Sequence, residues 1–241
     1  MGSSPASWGV GATLAWSLAA FIFGVIAALI VSAGWWVFEG AGPDEWIDYQ
    51  REHAVAKVFR EIVFNCGVAG VVILAAYFSP ISIRDYLALV PPRGSLAEVI
   101  VVSAAALAAC GLSLYGLAFA LGFEFGFSSS TLTVAALLGW TQKAIFGPVS
   151  EELLFRGFMY RGLAASRLGT WGAIAVTTVL FAVIHLTSVS GEALWFHYVF
   201  VTVMGVMFGL LRARTGSLLP PMVVHSIWNG WPGIAEVEFS V

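Results

Sequence analysis

The hydrophobic positions of this chain come in long runs rather than in alternation. Apolar residues fill Val10–Phe38, Ile62–Ser79, Ala97–Leu121, Trp171–Leu186, Leu194–Leu211 and Leu218–Trp231, with few polar interruptions. A membrane-spanning helix needs roughly 20 such residues, so these runs read as spans. Between them lie polar stretches with turn signals. Glu39–Glu61 holds six acidic and three basic residues, Gly42-Pro43, Trp46, Tyr49 and His53. Pro80–Ser95, with Pro91-Pro92, Arg84 and Arg93, reads as a linker or surface helix, and Phe123–Ser130 as a loop with aromatic anchors. Thr131–Phe146 is apolar but short and carries Gln142 and Lys143. It suits a short span, a re-entrant piece, or the first limb of a kinked helix. The expected fold is all-α: a bundle of seven or eight transmembrane helices in one polytopic domain over residues 1–241, without internal repeats.

Composition sharpens this picture. Of 241 residues, 59% are hydrophobic and only 10% are charged, and mean hydropathy is +0.90, which excludes an ordinary soluble domain. A net charge of −3 presents no basic surface for nucleic acid. Met1–Trp8 has no Lys or Arg, so the first run reads as a retained span rather than a signal peptide. Cys66 and Cys110 both fall in apolar runs and read as small core residues.

Against this background the stretch Gly147-Pro148-Val149-Ser150-Glu151-Glu152-Leu153-Leu154-Phe155-Arg156-Gly157 stands out. A carboxylate in hydrocarbon costs on the order of 2.5–3.5 kcal/mol, so it needs a partner or a purpose. In a helix starting near Ser150, with Ser150 as N-cap, Glu152 and Arg156 are four apart and can pair. Glu151 is turned about 100° away and points elsewhere. Two more polar groups follow in apolar surroundings, Phe181-Ala-Val-Ile-His185 and His225-Ser-Ile-Trp-Asn229. The 34-residue interval from Glu151 to His185 carries the chain down one helix, round a turn at Gly169 and back. Glu151, His185, His225 and Asn229 can therefore converge in one half of the bilayer.

These three motifs, Glu-Glu-x-x-x-Arg, Phe-x-x-x-His and His-x-x-x-Asn, resemble those of the CPBP (ABI) family of intramembrane proteases, which includes the type II CAAX prenyl endopeptidases. The resemblance covers the motif core at about 131–232; upstream it is only one of hydropathy. It implies that Glu151 with His185 activates water, that His225 with Asn229 forms an oxyanion hole, and that no metal is required. Glu152 and Arg156 are assigned a supporting role. It also implies a peptide or prenylated-protein substrate at the bilayer. With no organelle-retention signal in the sequence, a prokaryotic plasma membrane is the default expectation for this integral protein.

Blander readings stand beside this one. Glu152–Arg156 alone is as readily an ion pair that orients helices, His185 alone a hydrogen-bonded core histidine, and His225–Asn229 alone an interhelical clamp. Glu151, Glu152, His185 and His225 also offer enough ligands for zinc, although the His-Glu-x-x-His pair is absent. A transporter or a catalytically silent scaffold or immunity-type protein are the other classes. His197 reads as interfacial, Lys143 as snorkelling, and Trp228 and Trp231 as interfacial or pocket walls. Arg161, Arg167, Arg212 and Arg214 mark the cytoplasmic face by the positive-inside rule, which opens the site outward, whereas the resemblance to prenyl-processing proteases implies substrates presented from the cytosol.

Overall fold

The computed structural model describes residues 8–40, 54–120, 122, 134–186 and 194–231, without the side chains of Glu39 and Leu114. The acidic stretch at 41–53 with His53, the loop at 123–130, the 187–193 loop and the tail beyond Trp231 lie outside the described residues.

The described chain is helical, with no strand among those residues. Lipid offers backbone amides no partners, so each apolar run satisfies its own as a helix. The helices are α1 (Val10–Glu39), α2 (Ala54–Tyr77), the short α3 (Ile83–Tyr86), α4 (Leu96–Ala120), a composite α5 over 134–164, α6 (Gly169–Ile184), α7 (Leu194–Thr215) and α8 (Leu219–Gly230). Four of them, α1, α2, α4 and α7, are long and apolar enough to cross a membrane. Their outward faces carry Leu18, Ile30, Val101, Leu112 and Val199, all exposed, as lipid contact requires. The chain is a multi-pass integral membrane protein.

α1 and α2 form an antiparallel hairpin, joined tightly at Gly24 and Gly67. A Cβ at Gly67 would stand 3.2 Å from the Gly24 Cα, so only glycine permits this approach. α2 begins earlier than the hydropathy suggests, at Ala54, so Lys57, Arg60 and Glu61 belong to the helix. The polar residues that mark a loop in the sequence are its first turns.

The Pro80–Ser95 segment is not a surface linker. Tyr86 and Leu87 are fully buried, and Ala88 takes a left-handed φ of 54°. Its backbone ties to the turn before α8: the Leu218 amide donates to Ala88 O (2.9 Å), the Arg93 amide donates to Thr215 O (2.8 Å), and the Ser217 hydroxyl donates to Val90 O. Leu218 also packs against Gly157. α8 therefore starts inside the bundle, beside Gly157 in the C-terminal third of α5. At about 1.5 Å per residue α8 is only about 18 Å long and α6 about 24 Å, both short of the ~30 Å hydrocarbon core.

Of the three forms open to Thr131–Phe146, the described part from Val134 is the first limb of a kinked helix. α5 runs as α-helix from Val134 to Thr141, widens to π-helix over Gln142–Phe146, returns to α-helix over Gly147–Glu152, widens again over Leu153–Met159, and closes as α-helix to Ala164. Each wide turn shows the i−5 bond, from the Gly147 amide to Gln142 O and from the Tyr160 amide to Phe155 O. The first precedes Pro148, whose ring would crowd the i−4 carbonyl of a regular helix and which has no N–H to donate. Ser150 is consequently not an N-cap. It lies inside the helix, buried, and donates back toward Gly147 O at 3.0 Å.

The core is centred on α5, with Phe155, Phe158, Met159 and Leu163 packed against Val72, Ala75, Ile174 and Phe181. Trp228 is a core residue, 5.4 Å from Phe200, whereas Trp231 is exposed. Cys66 faces outward rather than into the core, and Cys110 is half-buried; both are free thiols.

Candidate active site

α5 supplies two carboxylates and a guanidinium, α6 and α8 one histidine each, and α7 the backing. Glu152 and Arg156 pair at 3.0 Å, and both side chains are fully buried. Arg156 also donates to the Gly205 carbonyl on α7 at 3.1 Å. Its guanidinium lies 4.5 Å from the Phe181 ring, 5.4 Å from Phe208 and 5.7 Å from Phe155. Three aromatic faces and two acceptors thus replace its water. The Arg156 carbonyl, in the wide turn, is in turn bonded by Arg212 Nε at 3.1 Å.

His225 joins the two glutamates. Its Nδ1 lies 3.1 Å from Glu152 Oε1 and its Nε2 3.8 Å from Glu151 Oε2. A carboxylate paired with arginine only accepts, so Nδ1 carries the proton of that bond and Nε2 faces Glu151. Phe208 stacks on the ring at 4.5 Å, with 24° between the planes, and fixes its rotation. The result is a row: Arg156, Glu152, His225, Glu151. Glu151 ends it, partly exposed at 23%, with a buried Oε2 that has no hydrogen-bond donor among the described residues. That orphaned acceptor fits a water molecule.

The structure brings Glu151, Glu152, Arg156 and His225 into direct contact. His185, at the C-terminal cap of α6, stands apart from that row. Its Nδ1 is 2.7 Å from the Phe181 carbonyl, which makes Nδ1 the donor and leaves Nε2 for other partners. Phe181 links the two histidines, with its ring 4.6 Å from His185 and 5.9 Å from His225. Asn229 lies one turn past His225, half-buried near the end of α8. That end is tied to α5 by a bond from Trp140 Nε1 to Gly230 O (2.9 Å).

Sequence reasoning missed three participants. Phe181 is the hub of the aromatic packing, and its place four residues before His185 was the available signal. His197 is half-buried rather than interfacial, 6.4 Å from His185, with a buried Nε2 that makes no hydrogen bond. Asn65 on α2 accepts from the Ser150 hydroxyl, and nothing in its sequence context marks it. Among the described residues, no three or more His, Cys, Asp or Glu side chains are grouped to hold a metal ion. Of the four residues named above as possible zinc ligands, Glu152 is engaged by Arg156 and His185 stands apart from the row.

Glu151 also lines a cleft of about 320 Å³ between α1, α2 and the first limb of α5, bounded by Leu29, Arg60, Glu61, Phe64, Asn65 and Gln142. The row therefore reaches a cleft between helices at Glu151.

Part of the chain that holds this arrangement is similar to a known family. Residues 133–231 match the family model described as type II CAAX prenyl endopeptidase Rce1-like. The expected relationship to the CPBP proteases holds over this segment, which contains all three motifs. The uncharacterized protein YpbD of Bacillus subtilis (strain 168) is 32% identical over 78 residues, which span 32% of this chain and 35% of that relative. No solved structure matches.

Proposed function

We propose that the protein is an intramembrane endopeptidase of the type II CAAX class that hydrolyses a bond in a membrane-associated or prenylated peptide. The row Arg156–Glu152–His225–Glu151 carries this reading. It is a largely buried row, hydrogen-bonded from Arg156 through Glu152 to His225, that comes within 3.8 Å of a carboxylate oxygen with no hydrogen-bond donor among the described residues, beside a cleft between helices.

In this reading Glu151 takes a proton from water as the oxygen adds to the scissile carbonyl. His185, with Nε2 free of its helix, is the second group on that water. The oxyanion forms against the Asn229 amide and His225 Nε2. The latter donates only in the cationic ring, since Glu152 already holds the Nδ1 proton. Glu151 then returns the proton to the leaving amine as the C–N bond breaks. No covalent acyl-enzyme forms. Arg156 and Glu152 orient His225 and do not touch the substrate. The setting is a prokaryotic plasma membrane.

The test is cleavage by purified protein in lipid vesicles. Two quenched fluorescent peptides serve as probes, one with a farnesylated cysteine followed by three residues and one unprenylated and membrane-anchored. Glu151→Gln keeps shape and removes the charge, and should reduce turnover to background without changing the melting temperature. Asn229→Ala should lower kcat by roughly 10²–10³-fold as a lost oxyanion donor. Wild-type-like cleavage by Glu151→Gln refutes the base. An inert wild type favours a scaffold or transporter.

A further inference from the structure

Asn65 lies on α2, outside the segment that matches the family, yet it is built into the catalytic helix. Its residue is 6% exposed, and its two amide ends are both engaged. Nδ2 donates to the Glu61 carbonyl one turn back at 2.9 Å. That bond fixes the amide's orientation, so Oδ1 must be the atom facing Ser150. Oδ1 only accepts, so the Ser150 hydroxyl donates to it and shares its single proton with Gly147 O.

Ser150 immediately precedes Glu151, in the six-residue α-helical piece between the two π-helical stretches. Wide turns on both sides join this piece to the rest of α5 through hydrogen bonds displaced from the regular ladder. A side-chain bond from a neighbouring helix to the residue beside Glu151 adds a direct constraint on its rotation. Asn65 and Glu151 also share the wall of the lateral cleft, together with Glu61 and Gln142. A rotation of this piece moves the Glu151 carboxylate across the cleft and away from His225 Nε2, now 3.8 Å from it.

We propose that Asn65 is a positioning residue for the reaction: through Ser150 it sets the rotation of the helical piece that aims Glu151 at the cleft. This rests on Glu151 being the base, as proposed above. The α1–α2 hairpin is then part of the working enzyme and not only a membrane anchor.

Asn65→Ala, Ser150→Ala and the double variant are compared with wild type and Glu151→Gln on the peptide that the wild type cleaves. Each single variant is expected to lower kcat about 10- to 100-fold, the scale of a small misplacement of a reacting group, with KM changed less than about two-fold. The double variant should fall no further than the singles, since both remove one link. A merely structural role would instead give additive losses that track the melting temperature. Ser150→Ala cuts the same bond with little loss of volume, so it decides the question if Asn65→Ala does not fold. Either single variant within about two-fold of wild-type kcat, beside an inactive Glu151→Gln, overturns this proposal alone. An active Glu151→Gln or an inert wild type overturns it together with the proposed function.

Discussion

Replacing Arg156 by methionine removes a buried cation while keeping much of its volume among three aromatic rings, which a thioether also favours. The arginine makes two kinds of bond. Its charge-assisted bond to Glu152 is lost, and the Gly205 carbonyl, which lies within the α7 helix, loses its second donor. Breaking a buried pair by removing one partner costs about 3–5 kcal/mol. Here Glu152 keeps one donor, His225 Nδ1, so the lower end applies, about 3 kcal/mol by the same rule. For a chain of this length that is a fall in melting temperature of roughly 6–12 °C. Tryptophan fluorescence during heating of the purified protein in detergent measures it. Adding Glu152→Gln should recover part of the loss, because the stranded charge is then gone. Arg156→Met melting within about 2 °C of wild type, or a double variant no better than the single, would refute the claim that this pair is buried and coupled.

Gly162→Ala places a Cβ 2.0 Å from Thr13 Oγ1 and 2.9 Å from Thr13 Cβ, so α1 must move. Overpacking of this kind costs about 1–3 kcal/mol, and an unchanged melting curve would show that the contact is loose. Cleavage should persist in strong chelator, because the proposed base is a carboxylate; loss that zinc restores would assign the reaction to the metal alternative. The arginine-rich face should be cytoplasmic. A single cysteine at the exposed Arg167, in a background lacking Cys66 and Cys110, should escape an impermeant thiol reagent in intact cells; labelling there reverses the orientation. Ser217 does not serve for this, since it is fully buried and bonded to Val90.

What could be read from the sequence was whatever depends on local spacing. The spans at α1, α4 and α7 and the Glu152–Arg156 pair follow from apolar runs and a four-residue interval. What could not be read depends on partners distant in the chain. Ser150 looked like an N-cap because serine before glutamates usually is one. The regular helix had in fact already begun at Val134, and the hydroxyl serves Asn65 instead. Pro80–Ser95 looked solvated because prolines and arginines fill it, yet Tyr86 and Leu87 anchor it under α8. His185 was paired with Glu151 by depth and by the family resemblance. The structure puts His225 at that carboxylate, because the short α8 begins beside Gly157 rather than at the membrane surface. Asn65 had no motif to announce it.

The two π-helical stretches of α5 have one more consequence. Each holds an additional residue relative to an α-helix of the same rise, and so acts as an insertion written into the helix. Deleting one residue between Leu153 and Met159 would return the backbone to its commonest form and improve its local hydrogen bonding. It would also shift side chains inside the stretch by one position, about 100° around the axis, while the flanking pieces keep their rise. Arg156, which lies inside it, would then lose either Glu152 or Gly205. A shorter, more regular helix would fold readily here and carry no connected row. The reading frame of this helix is therefore held by its chemistry and against its backbone preference.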